Sequence, residues 1–177
     1  MLLNHAKVQY IDERLAPQEM LDMKAAGRFP NGQVPIWIDE KGEKNQTLAI
    51  LRYLGGIYGY APVGITASFE SDWYFETHYD HVKNGLRGFK KPLTSETCSD
   101  EVLEATMIES RKLLSHYNKR WSDSRSYVAG DRLTVADFHW LGFLTGCLDN
   151  SNAANPVYKN AMKEEFSKHE HVMNINN

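Results

Sequence analysis

The sequence predicts an α/β unit followed by an all-helical one. Three observations carry this. Strand, helix, hairpin and helix patterns follow one another within the first sixty residues, no strand pattern appears after position 66, and a Pro/Gly connector (APVGIT, residues 61–66) separates the two regions. The expected domains are therefore residues 1–60 and residues 67–177. At 177 residues the chain has enough length to build a substantial core.

Each element has a local reason. Residues 7–11 (KVQYI) alternate as a short strand, and Pro17–Ala25 reads as a short helix opening on proline at its first position. Residues 27–32 form a loop. Val34, Ile36 and Ile38 then alternate like one face of a strand, with Pro35 inside the run. Proline donates no ladder hydrogen bond, so the strand must begin, bend or lie at an edge there. Residues 39–44 (DEKGEK) read as a hairpin turn with Gly42 at its tip. Leu48, Leu51, Leu54 and Ile57 repeat at helical spacing, and Gly55, Gly56 and Gly59 loosen the helix end. Residues 67–90 are rich in aromatics and histidine. Val102, Leu103, Met107, Leu113, Leu114, Tyr117 and Trp121 mark a second helix of the bundle, with further helices starting near Thr134 and near Asn155.

Composition narrows the function classes. The chain is 42% hydrophobic and 24% charged with a formal net charge of −3, an ordinary globular profile without the basic excess that nucleic acid or an anionic membrane requires. It has no apolar run near the length of a bilayer span and no secretory signal at its start, so a cytoplasmic protein is expected. Cys98 and Cys147 lie far apart and form no metal or redox motif; reduced thiols are expected.

Three short motifs stand out. In LTVADF (133–138) Thr134 can accept the N–H of Asp137 while the Asp137 carboxylate reaches back to Thr134, a capping box that makes Asp137 structural rather than catalytic. Leu133 and Phe138 occupy its staple positions. In NQTLAILRYL (45–54) Gln46 and Thr47 stand at a helix start, where free N–H groups and the dipole favour a carboxylate. A strand entered through Val34–Pro35 turns the Val34 backbone outward, where an extended peptide can pair with it. Two ligand-facing features joined by one hairpin make a peptide cradle. His78 and His81 in HYDH share a helical face, but two histidines without a third ligand make a poor metal site, and no metal is expected. Trp73, Tyr74, Phe75 and Tyr79 suit a core or a dimer interface, or the wall of a hydrophobic substrate site. Trp140 and Phe143 suit the core, and HEH (169–171) a solvated helix end.

The segment GQVPIWIDEKGEKNQTLAILRYLGGIYG resembles the glutathione-binding half of cytosolic glutathione transferases, most closely the sigma class and its alpha, mu and pi relatives. YVAGDRLTVADF resembles the signature at the start of the core helix in that family's second domain. The resemblance implies a thioredoxin-like first domain, incomplete here, and an all-helical second domain. It implies a cis Pro35, with the Val34 backbone pairing the cysteinyl part of glutathione, Gln46 and Thr47 holding the γ-glutamyl carboxylate, and Lys24 meeting the glycyl carboxylate. Thr47 stands where serine is more usual, Met20 where a tryptophan contact is common, and the loop at 25–31 is longer than the family norm. Asp80 falls near a carboxylate that reaches the glutathione amine of a partner subunit.

The opening MLLNHAKVQY resembles the end of the family's first helix and its second strand; the first strand, which carries the catalytic Tyr or Ser, has no counterpart. Tyr10 belongs to the second strand and does not fill that role, and the catalytic residue stays unassigned. Residues upstream of Met1, or a partner strand in the vacant place, are expected in the native protein. The implied function is transfer of glutathione, as co-substrate, to hydrophobic electrophiles by a homodimer. The alternative is a catalytically inactive structural or assembly subunit contacting neighbouring subunits; a glutathione-binding module without turnover comes third.

Overall fold

The computed structural model describes residues 1–84, 99–123, 125–149 and 156–175. The chain divides into two compact units, Met1–Ala61 and Pro62–Asn177.

In the first unit, α1 (Leu2–His5) and α2 (Pro17–Ala25) precede an antiparallel hairpin of β1 (Ile36–Asp39) and β2 (Gly42–Asn45), and α3 (Thr47–Tyr58) follows. Pro17 opens α2 as its first residue, and the Glu19 carboxylate accepts the N–H of Ala16 at 3.3 Å. The hairpin turns at Glu40 and Lys41 rather than at Gly42, which opens β2 in the left-handed region at φ 94°. A left-handed glycine closing a short loop lets the second strand resume its pairing. α3 ends on Gly59, also left-handed at φ 81°, and the hydroxyl of Tyr60 meets His5 Nδ1 at 2.7 Å, tying α1 to the end of α3. The buried hydrophobic residues of this unit are Leu2, Phe29, Ile50 and Leu54.

Two strand expectations are corrected. Residues 7–11 alternate in sequence but form no strand: Lys7 has φ 57°, residues 8–16 carry neither helix nor strand, and Ile11 is 94% exposed. Alternation makes a strand only where a neighbour accepts the ladder hydrogen bonds, and β1–β2 is the only sheet among the described residues. The strand expected over residues 34–38 begins at Ile36, just after the proline, and runs on to Asp39.

The regular structure of the second unit is helical among its described residues, apart from an isolated bridge between Tyr127 and Gly130. It comprises α4 (Ile65–Asn84), α5 (Asp100–Arg120), α6 (Val135–Leu144), a π-helical turn at Thr145–Asp149, α7 (Pro156–Ser167) and α8 (Glu170–Asn174). On α4, Glu70, Ser71, Tyr74, Phe75 and His78 recur at helical spacing and are buried. On α5, Met107, Ser110, Leu113, Leu114 and Tyr117 form the facing stripe, with Asp100 and Glu101 in the first turn and Lys119 and Arg120 in the last, matching the helix dipole. α6 is apolar on nearly every side and lies in the centre of the unit.

The core is aromatic. Tyr117 stacks on Trp121 with ring centroids 4.8 Å apart, Trp140 meets Trp121 edge-on at 5.3 Å, and Phe166 closes over Trp140 at 5.9 Å. Of the four aromatics noted on α4, Tyr74 and Phe75 are core, Trp73 is half-buried against His116, and Tyr79 is exposed. Buried Glu70 is held by two guanidinium groups, those of Arg120 and Arg125. The segment 169–171 is not a solvated helix end: His169 precedes α8 and lies 3.3 Å from Glu165, and Asn118 Oδ1 accepts the N–H groups of His171 and Val172. Val172 and Ile175 are buried there. Cys98 and the side chain of Cys147 lie outside the described residues, and the helix expected to start near Asn155 runs over Pro156–Ser167.

The capping box at α6 is present and is more than a cap. Asp137 accepts from the Thr134 N–H at 2.7 Å, from the Thr134 hydroxyl at 3.0 Å and from the Val128 N–H at 2.8 Å, while the Thr134 hydroxyl accepts from Ala136. Burial pushes its carboxyl above the ordinary value, and these donors oppose that push. Asp137→Ala therefore loses a cap worth about 1 kcal/mol and strands the Val128 N–H at a further ~1–3 kcal/mol. The expected loss is about 2–4 kcal/mol in a denaturant melt of the helical unit; a loss below about 1 kcal/mol would contradict the role given to the Val128 contact.

Candidate functional site

Hairpin register assembles the candidate site. Ile36 pairs with Asn45, so Pro35, one residue before Ile36, and Gln46, one residue after Asn45, come to the same end of the hairpin. Directly opposed strand residues lie about 4.5–5.5 Å apart at Cα, so the two chain segments are neighbours there. The Val34–Pro35 bond is cis, and Val34 is 49% exposed.

Gln46 turns the chain from β2 into α3 in a single residue, at φ 71° and ψ 114°. Left-handed backbone is costly for a residue with a Cβ and persists only where surrounding contacts fix it. The Gln46 side chain makes no capping bond to the first turn of α3. Thr47 is therefore the first helical residue rather than the cap, and both side chains are exposed. Lys24, in the last turn of α2, sends its side chain past Gly32, where a Cβ would lie 3.5 Å from Lys24 Cε. Gly32 is two residues before Val34. The five residues singled out in the sequence thus fall into two neighbouring pairs, Val34–Pro35 and Gln46–Thr47, with Lys24 beside the segment leading into the first.

A clasp at the opposite end of the hairpin was not visible in the sequence. The Asp39 carboxylate at the end of β1 accepts from four groups: Lys44 Nζ at 2.6 Å, the Lys41 N–H at 2.9 Å, the Tyr53 hydroxyl at 2.7 Å and Trp37 Nε1 at 3.0 Å. Lys44, then Tyr53, hold the carboxyl far below the usual carboxylate range. Lys44 Nζ also sits 4.7 Å over the Tyr53 ring. No motif marks Asp39 and Tyr53, 14 residues apart, as partners.

In the helical unit the histidines of HYDH part company. His78 is buried, shares a hydrogen bond with the Tyr117 hydroxyl at 3.3 Å and lies edge-on to His139 at 4.9 Å between ring centroids. His139 in turn bonds the Tyr74 hydroxyl at 2.8 Å. His81 turns to its own helix, with Nδ1 2.9 Å from the Thr77 carbonyl oxygen. No group of three or more His, Cys, Asp or Glu that could hold a metal occurs among the described residues, and no described helix is long and apolar enough to cross a membrane.

The hairpin leading directly into a helix, followed by a helical unit with a capped central helix, defines a thioredoxin-like pattern joined to an all-helical domain. Comparison with known proteins gives the same class. Residues 78–168 match the family model described as glutathione S-transferase, C-terminal domain, which covers half of the chain. Glutathione S-transferase 3 of Caenorhabditis elegans is 28% identical over 142 residues, spanning 77% of this chain and 67% of that one. Among solved structures, the glutathione S-transferase from Ascaris lumbricoides superposes with a TM-score of 0.71 at 24% identity, covering 98% of this chain and 85% of that one. A nematode-specific glutathione S-transferase of C. elegans gives 0.74 at 16% identity, over 98% and 84%. These likenesses establish the fold, and the family match establishes membership. The chain belongs to the glutathione S-transferase family.

The two buried histidines set an acid limit on the helical unit. Burial, aided by His139 and His81, lowers His78 to about 3, and burial lowers His139 to about 4. Both stay neutral in the folded protein where the unfolded chain, with histidines near 6.5, takes up protons. Stability is therefore constant above about pH 6.5 and falls as pH drops toward 4, at up to about 1.4 kcal/mol per pH unit for each histidine. Denaturant melts between pH 7 and 4.5 check this. His78→Asn, which keeps an acceptor for Tyr117, should shed about half of the slope; an unchanged slope would assign the acid loss elsewhere.

Proposed function

We propose that the α/β unit binds glutathione and that the protein serves the transfer of glutathione to hydrophobic electrophiles. The observation that carries this reading is the hairpin register, which sets the Val34–Pro35 backbone beside the Gln46–Thr47 entry to α3 in a member of this family. The γ-glutamyl carboxylate would accept from the Thr47 hydroxyl, the Gln46 side chain and the first N–H groups of α3, where the dipole favours negative charge. The cysteinyl backbone would pair with Val34 as one further extended strand. Lys24, its stem lying past Gly32, would meet the glycyl carboxylate.

Held at both ends, the peptide presents its sulfur at a fixed position. The thiol must lose its proton to solvent before sulfur attacks an electrophilic carbon, forming the carbon–sulfur bond as the leaving group departs. Val34, Gln46, Thr47 and Lys24 bind and orient; none of them is placed to stabilise the thiolate. The expected setting is a cytoplasmic homodimer, which sedimentation of the purified chain would examine.

Calorimetric titration with glutathione tests the binding, and conjugation of an activated aryl chloride tests the transfer. Binding with turnover supports the whole reading. Binding without turnover reduces it to a glutathione-binding module, and no binding removes it. Thr47→Ala deletes a hydrogen bond to a charged group worth about 1.5–3 kcal/mol, a loss of roughly 10- to 150-fold in affinity. Thr47→Ser should stay near wild type because it keeps the hydroxyl.

A further inference from the structure

We infer that Asp39 and Tyr53 are the positioning residues of the glutathione site: their contact fixes the hairpin against α3 and so holds Gln46 and the first turn of α3 in the geometry that receives the ligand. The inference rests on the glutathione reading given above and adds the device that keeps that site in shape.

Gln46 alone connects β2 to α3, in left-handed backbone and without a capping bond of its own. Its carbonyl accepts the Ile50 N–H at 2.9 Å, but no side-chain cap fixes the junction, so contacts farther along both elements also set the angle between hairpin and helix. The Tyr53 hydroxyl, in the second turn of α3, reaches Asp39 Oδ2 at 2.7 Å, the oxygen that also takes the Trp37 indole N–H. The other oxygen takes Lys44 Nζ from β2 and the Lys41 N–H from the turn. One carboxylate thus joins β1, the turn, β2 and α3. With donors on both of its oxygens it cannot swing toward one partner without releasing another. The triangle of hairpin, Gln46 and α3 is then closed at two corners: covalently at Gln46 and by hydrogen bonds at Asp39. Opening the second corner frees α3 to pivot about Gln46, which moves the N–H groups of Thr47 and Leu48 relative to the hairpin. Neither Asp39 nor Tyr53 needs to touch the ligand for this.

Tyr53→Phe is the direct test, because it removes only the hydroxyl and keeps the ring beneath Lys44. In the full chain labelled with nitrogen-15, the Trp37 indole signal reports that the hairpin is intact, and the amides of Gln46, Thr47 and Leu48 report the junction. Tyr53→Phe should shift those amides, retain the indole signal and weaken glutathione binding by at least about fivefold, the low end of coupling between a distant contact and a ligand. Should Tyr53→Phe fail to fold, Asp39→Asn is measured in its place, with the same expectation for the junction amides and the affinity. Unchanged junction amides overturn the inference, as do shifted amides with unchanged affinity. If glutathione moves no junction amide in the wild-type protein, the glutathione reading falls, and with it the clasp as its positioning device. Glutathione shifts of equal size and affinity in both proteins leave that reading standing and remove the clasp alone.

Discussion

Ile36 pairs with Asn45 across a hairpin of only four residues per strand, and the proposed ligand contacts at both ends of the cysteinyl–glutamyl segment depend on that pairing. A slip by one residue would exchange the faces of both strands and separate Pro35 from Gln46 along the chain. The register is held at the far end of the hairpin by the left-handed Gly42 and by the Asp39 carboxylate. The near end is held by the helix that begins directly after Gln46. A short sheet offers little area to anchor a ligand, so its precision comes from polar contacts at its ends rather than from packing along it.

Legibility followed the range of the interaction. Pro17 at a helix start and the Thr134–Asp137 cap act within four residues, and both are readable from residue type and spacing. The Gln46–Thr47 helix entry is equally local. Residues 7–11 misled because alternation states which side chains could share a face, whereas a strand exists only through a partner. Glycine marks turns, which points to Gly42 as the hairpin tip, but its left-handed φ serves the residue that resumes pairing. The links from Asp39 to Tyr53 and from His78 to His139 cross between elements, and no local pattern announces them. The resemblance to glutathione transferases names the ligand proposed above, where residue chemistry alone points to an unspecified extended peptide with a carboxylate.

The two units use charge differently. In the helical unit each buried carboxylate meets several donors: Glu70 two arginines, Asp137 two backbone N–H groups and a hydroxyl, and Glu165 Arg111, Lys168 and His169. Breaking one partner there leaves a group without water to replace it. In the α/β unit Asp39 keeps some access to solvent, and its contacts govern orientation more than burial. The same residue type therefore supports cohesion in one unit and alignment in the other.

Asn118 illustrates how unevenly the helical unit is secured. Its single side-chain oxygen takes two successive amides, those of His171 and Val172, where α8 begins. Release of the last turn breaks these two bonds and withdraws Val172 and Ile175 from buried positions. Held by so few contacts at the end of the chain's described residues, that turn is expected to open locally at a lower free energy than global unfolding. Deuterium would enter those two amides together, on a timescale set by that opening and independent of the melting of α5 and α6.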